Sequence, residues 1–180
     1  MYEHLKHLQP TGIPLLERLR TLEASDVEAL NARFAGIPKD YLRFMSEVGH
    51  GPWFDEYDFT PYFFLPAPVD ANNEHFKDSL IYEDSLDAPA AIGPVWMFAL
   101  DSQGHAFCFD AGDDWRIVWI DTTRTVTRLG LSFRQLVEGL LVCYPQMPEY
   151  YREGNWFDSS GAPYSAPQGV TFPNDQPADH

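Results

Sequence analysis

Residues 95–120 constrain the fold more than any other stretch. Compact apolar runs are separated here by turn chemistry. Residues 95–100 form one run, Asp101-Ser102-Gln103-Gly104 is a turn, and residues 105–109 resume an apolar strand. Asp110-Ala111-Gly112-Asp113-Asp114 is a second turn, followed by residues 115–120 with an Ile117-Val118-Trp119-Ile120 core. Short apolar runs bounded by Gly and Asp clusters predict a hairpin and a third antiparallel strand. Residues 122–128, rich in β-branched side chains, extend the series.

Helical signals flank this meander. Pro14 opens a helix candidate whose stripe is Leu15, Leu16, Leu19 and Leu22. Ser25 and Glu28 have capping-box spacing ahead of Leu30 and Phe34, and Gly36 suits a left-handed stop. Ile37-Pro38 starts a third helix, with Tyr41, Phe44, Met45 and Val48 on one face and Gly49 at its end. Residues 62–65 predict a short strand, and residues 71–82 a helix. Ser132 with Gln135 caps a last helix, whose apolar face is Phe133, Leu136, Val137, Leu140 and Leu141. The expectation is an α+β fold: an antiparallel or mixed sheet meander with N-terminal helices and one closing helix packed against it. Residues 1–157 are expected to form one domain. Residues 158–180, with no Lys or Arg and few aliphatic side chains, are expected to form an extended tail.

Charge narrows the function. The chain carries 12 Lys+Arg against 27 Asp+Glu, a net charge of −15. Residues 1–53 hold six basic and seven acidic side chains, whereas residues 54–180 hold six and twenty. Such a chain repels nucleic-acid phosphates and anionic membranes and attracts basic proteins. Solubility alone is the competing reason for the acidity. Cys108 and Cys143 sit in apolar stretches without a CxxC pairing, which predicts reduced core thiols. No secretory signal and no apolar run of membrane-spanning length is visible, so the expected location is cytoplasmic.

No motif for catalysis stands out. There is no Gly-x-Ser-x-Gly elbow, no phosphate-binding glycine loop and no HExxH pairing. His4 and His7 share a helical spacing without companion ligands, and His50, His75 and His105 stand alone in sequence. The aspartates of residues 110–114 lack the calcium-loop pattern. The expectation is a non-enzyme with no cofactor and no metal. Trp53, Phe54, Asp55, Glu56, Tyr57 and Asp58 interleave aromatic anchors with carboxylates and are candidates for partner binding. Core residues of a loop over the sheet are the competing account. Asp113, Asp114 and Trp115, with Asp110, are a second candidate, set against a solvated hairpin turn. Glu83, Asp84 and Asp87 form a third acidic cluster.

Three pieces, in order, carry a family resemblance. They are Gly36-Ile37-Pro38-Lys39-Asp40-Tyr41-Leu42-Arg43-Phe44, the hairpin Trp96-Met97-Phe98-Ala99-Leu100-Asp101-Ser102-Gln103-Gly104, and Ser132-Phe133-Arg134-Gln135-Leu136-Val137-Glu138-Gly139-Leu140. Together, over roughly residues 25–142, they resemble the SUKH superfamily of fungal cell-wall-assembly regulators and bacterial toxin-immunity proteins. The loop Gly49-His50-Gly51-Pro52-Trp53 and the long segment 70–91 depart from that pattern. The resemblance implies an immunity-type protein that binds a cognate polymorphic toxin, a nuclease being the expected class, and blocks it stoichiometrically. The alternative is a regulatory scaffold that binds an endogenous partner without inhibiting it. An enzyme of unrecognised type is the third reading, which a deep pocket with converging polar groups would reveal.

Overall fold

The computed structural model describes residues 2–8, 15–53, 62–72, 93–122 and 124–143. Within them lie helices α1 (Leu5–Leu8), α2 (Ala24–Arg33), α3 (Lys39–Glu47) and α4 (Phe133–Cys143). The strands are β1 (Gly51–Pro52), β2 (Tyr62–Asp70), β3 (Val95–Asp101), β4 (Ala106–Asp110), β5 (Arg116–Ile120) and β6 (Val126–Arg128). All pair antiparallel with their neighbours in chain order, giving a six-stranded meander. The fold is α+β, with N-terminal helices and a closing helix.

Side-chain alternation divides the sheet into two faces. On the first, Tyr62, Phe64, Phe98, Phe107, Phe109, Ile117 and Trp119 are buried together with residues of all four helical segments. Tyr41 of α3 and Phe133 of α4 meet edge to face at 5.2 Å, and Tyr41 meets Phe98 of β3 at 6.0 Å. Phe98 and Phe109 lie 4.3 Å apart on adjacent strands. Each such ring contributes about 1.5–3 kcal/mol by burial, and edge contacts add about 1 kcal/mol. On the second face, Val95, Met97, Ala106, Cys108, Val118 and Ile120 are also buried. Burial on both faces explains why β3 to β5 read as continuous apolar runs rather than as alternating ones. Among the described residues, the exposed large apolar side chains Phe63, Val69 and Val126 register with Leu100, Met97 and Ile120 and so share this second face.

Local chemistry sets the joints. Asp101 Oδ1 accepts the backbone N–H groups of Gln103 and His105, both at 2.9 Å, closing the β3–β4 turn. Ser132 and Gln135 form the expected reciprocal cap on α4. Asp40 accepts N–H bonds from Tyr41 in α3 and from Arg134 in α4, so one carboxylate ties two helix starts together. Burial nevertheless pushes the Asp40 carboxyl above the usual aspartate value, against the lowering effect of those donors. Gly49 has φ 110°, and a Cβ there would lie 2.3 Å from the Arg20 backbone, which pairs with His50.

Several sequence expectations are corrected. Residues 15–18 form a turn rather than a helix, and Arg20 instead bridges to His50. Helix α2 is capped by the backbone of Glu23 without a side-chain bond, and Ser25 lies inside the helix. Strand β2 runs on through Pro66 and Pro68. Strand β1 pairs only with Phe63 and Phe64, and the register with β3 shifts between Phe64 and Val69, so neither proline has to donate to a ladder there. Ala71 and Asn72 form a turn, and the rest of the expected helix at 71–82 lies outside the described residues, as does the tail.

Candidate functional site

The β4–β5 connection is built from nested turns. Asp113 N–H donates to the Asp110 carbonyl at 3.1 Å, and Arg116 N–H donates to the Asp113 carbonyl at 3.0 Å. Asp110 Oδ1 accepts the Gly112 N–H at 2.9 Å. The two central residues of the second turn, Asp114 and Trp115, have φ 52° and 57°. This is the mirror-type turn that hairpins prefer, and its central positions favour Asn and Gly. A left-handed tryptophan costs about 1–2 kcal/mol, offset by what its ring touches.

Trp115 lies half-buried against the α2–α3 joint. Its ring meets Phe34 edge to face at 6.2 Å and Phe109 at 6.3 Å. Gly36 lies beneath it: a Cβ there would stand 2.8 Å from Trp115 Nε1. Phe34 in turn meets Trp96 of β3 at 5.0 Å, and the Arg33 guanidinium lies 4.8 Å from the Phe34 ring centre. Two tryptophans thus flank one phenylalanine at the end of the sheet where α2 meets α3.

Charge at this corner is partly neutralised within the chain. Arg128 of β6 donates from Nε to Asp113 at 2.9 Å and from Nη2 to Asp110 at 3.3 Å. Arg116 stands 4.0 Å from Asp113. Asp114 is exposed and has no ion pair among the described residues. Of the candidate carboxylates here, Asp110 and Asp113 are thus engaged within the turn, and Asp114 is not ion-paired among the described residues.

The candidates do not converge on one surface. Trp53 is 0% exposed, stacks on Phe64 at 5.2 Å and meets Tyr62 at 5.3 Å. It is a core residue in this conformation, which corrects its reading as a surface anchor. Its burial follows from the N–H bond to the Tyr62 carbonyl, which extends the β1–β2 pairing. Tyr62 registers with Asp101, whereas Val95 registers with Asp110. Trp53 and Trp115 consequently sit at opposite ends of β3, about 20 Å apart along the strand. Phe54, Asp55, Glu56, Tyr57 and Asp58 lie outside the described residues, as do Glu83, Asp84 and Asp87.

Two polar groupings were not singled out as sites by the sequence. His105 Nδ1 lies 2.8 Å from Asp101 Oδ2, both residues being buried, and the His105 ring is 4.7 Å from Trp119. Because Asp101 also accepts two backbone N–H bonds, this pair has a complete structural role in the turn. Within the helix layer, buried Glu138 accepts from Arg134 at 2.7 Å and lies 2.5 Å from His4, fastening the N-terminal segment to α4. Among the described residues, no group of three or more His, Cys, Asp or Glu side chains could hold a metal ion. No helix among them is long and apolar enough to cross a membrane.

No family model matches the chain, and no curated protein matches it. A solved structure, the crystal structure of Atu4351 from Agrobacterium tumefaciens, aligns at 21% identity over 78% of this chain with a TM-score of 0.43. The chain spans 60% of the length of that protein. Similarity at this level bears on neither family nor activity.

Proposed function

We propose that the chain is a SUKH-like, immunity-type binding protein that neutralises a basic toxin, a nuclease being the expected class, by stoichiometric association in the cytoplasm. The observation that carries the reading is the charge: −15 overall, with twenty of the 27 acidic side chains in residues 54–180. A nuclease must attract phosphate, so its active surface is commonly basic, and an acidic protein competes for that surface. The β4–β5 turn supports the reading with a charged, preorganised element: Arg128 clamps Asp113 and Asp110 while Asp114 stays open. Preorganisation lowers the ordering cost of association.

The test is co-purification at low salt with the product of the adjacent reading frame. One-to-one capture of a basic, toxic protein whose activity disappears in the complex is the expected result. Capture without inhibition would favour the scaffold reading instead. Exchanging Asp55, Glu56, Asp58, Asp113 and Asp114 for amides slows association and flattens its salt dependence. Unchanged kinetics in that variant would remove these residues from the interface.

A further inference from the structure

We propose that Trp96, Phe34 and Trp115, with the carboxylates of Asp70 and Asp114, form a docking corner for an arginine-bearing loop of a basic partner protein. The partner's identity rests on the immunity reading, whereas the corner rests on its own geometry. Phe34 meets Trp96 at 5.0 Å and Trp115 at 6.2 Å, so both half-buried indoles are seated against one buried ring. Asp70 registers with Trp96 across β2 and β3, which places the two on the same face of the sheet. Asp114 precedes Trp115 in the left-handed turn. Both aspartates are exposed and have no cationic partner among the described residues, and Asp70 accepts from Asn72 at Oδ1 only, at 2.9 Å from its backbone N–H and 3.4 Å from its side-chain amide.

The combination selects a guanidinium. Arginine stacks on aromatic faces and offers a planar fork to carboxylates, and it is enriched with tryptophan at interface anchors. Arg33 already lies against Phe34 at 4.8 Å, so this corner accommodates one guanidinium from its own chain. The chain's acidity supplies the long-range attraction, and the two exposed aspartates, neither of them ion-paired among the described residues, supply the local one. The neighbouring Asp110 and Asp113 contribute less, because Arg128 already engages both.

The probe is a short peptide alternating arginine and glycine, and its control carries neutral citrulline in place of arginine. Binding to the full chain is read from the indole N–H resonances. Those of Trp96 and Trp115 are expected to move saturably with the arginine peptide, while those of buried Trp53 and Trp119 hold still. Trp115→Ala weakens the peptide about tenfold or more. Because that variant also loses packing, Asp70→Asn with Asp114→Asn carries the test if it fails to fold: asparagine tolerates the left-handed turn, and binding again falls about tenfold. An equal response to the citrulline peptide, movement spread over all the indoles, or unchanged affinity in the double variant would overturn the corner. If the adjacent toxin binds the double variant with parental affinity, the corner is refuted and the immunity reading stands. If the corner binds arginine but no toxin is captured, the corner stands and the immunity reading falls.

Discussion

Gly36→Ala tests whether the α2–α3 joint and the β4–β5 turn are one mechanical unit. Gly36 has φ 93°, a conformation that an L side chain resists at a cost of about 1–2 kcal/mol. The added Cβ would also stand 2.8 Å from Trp115 Nε1 and 3.2 Å from its Cδ1. The indole cannot yield cheaply, because Phe34 and Phe109 hold its ring and the Asp114–Trp115 backbone is itself left-handed. Displacing it forfeits about 1 kcal/mol of aromatic contact. The sum, about 2–3 kcal/mol, lowers the melting temperature by about 5–10 °C for a chain of this size. Thermal unfolding followed by circular dichroism measures it. The comparison with Trp115→Ala and with the double variant separates the two causes. Removing the indole relieves the overlap but not the backbone penalty, so the double-mutant cycle should show a coupling of about 1 kcal/mol. A Gly36→Ala protein melting like the parent, or a coupling near zero, would refute the seating of Trp115 on Gly36.

Other perturbations have equally direct outcomes. Gly49→Ala meets backbone atoms of Arg20 at 2.3 Å rather than a movable side chain, so a loss of more than about 3 kcal/mol is expected, read as loss of the cooperative unfolding transition. Asp101→Ala strips acceptors from two backbone N–H groups and leaves His105 buried without its carboxylate, a cost of about 2–3 kcal/mol seen as a lower urea midpoint at constant slope. Asp40 has a pH signature. Its carboxyl titrates above the usual aspartate value in the folded state, so the fold binds that proton more tightly than the unfolded chain does. Its contribution to stability is therefore fullest below the usual value and declines as pH rises through the raised one. Parent stability measured against Asp40→Asn should fall across that interval, and a difference that rises there would contradict the burial argument.

The sequence exposed those parts of the fold whose signals are local. The Asp101 turn, the Ser132–Gln135 cap and the Tyr41, Phe44 and Met45 face of α3 each rest on residues a few positions apart, and each is present. The leucines at 15, 16, 19 and 22 mislead because helical spacing records burial, and Leu15 is buried from a turn while Arg20 bridges to His50. The prolines of β2 mislead in the opposite direction, since only the short extent of β1 and the shifted β3 register free them from ladder duty. The candidate surface was legible at Asp114 and Trp115 but not at Trp96, Phe34 and Asp70. Those three join it through strand register and helix packing, which no short window of sequence contains. Trp53 illustrates the converse: an aromatic beside carboxylates looks like an anchor until pairing with Tyr62 draws it into the core.

The central claim is inhibition by binding, and one titration tests it directly. The product of the adjacent reading frame, which the proposal expects to be a nuclease, is held at a concentration well above the expected dissociation constant. The protein is added stepwise while cleavage of a labelled nucleic acid is followed. The account predicts a linear loss of activity that is complete at one equivalent, with association slowing as salt is raised. Full cleavage in the presence of excess protein would contradict it.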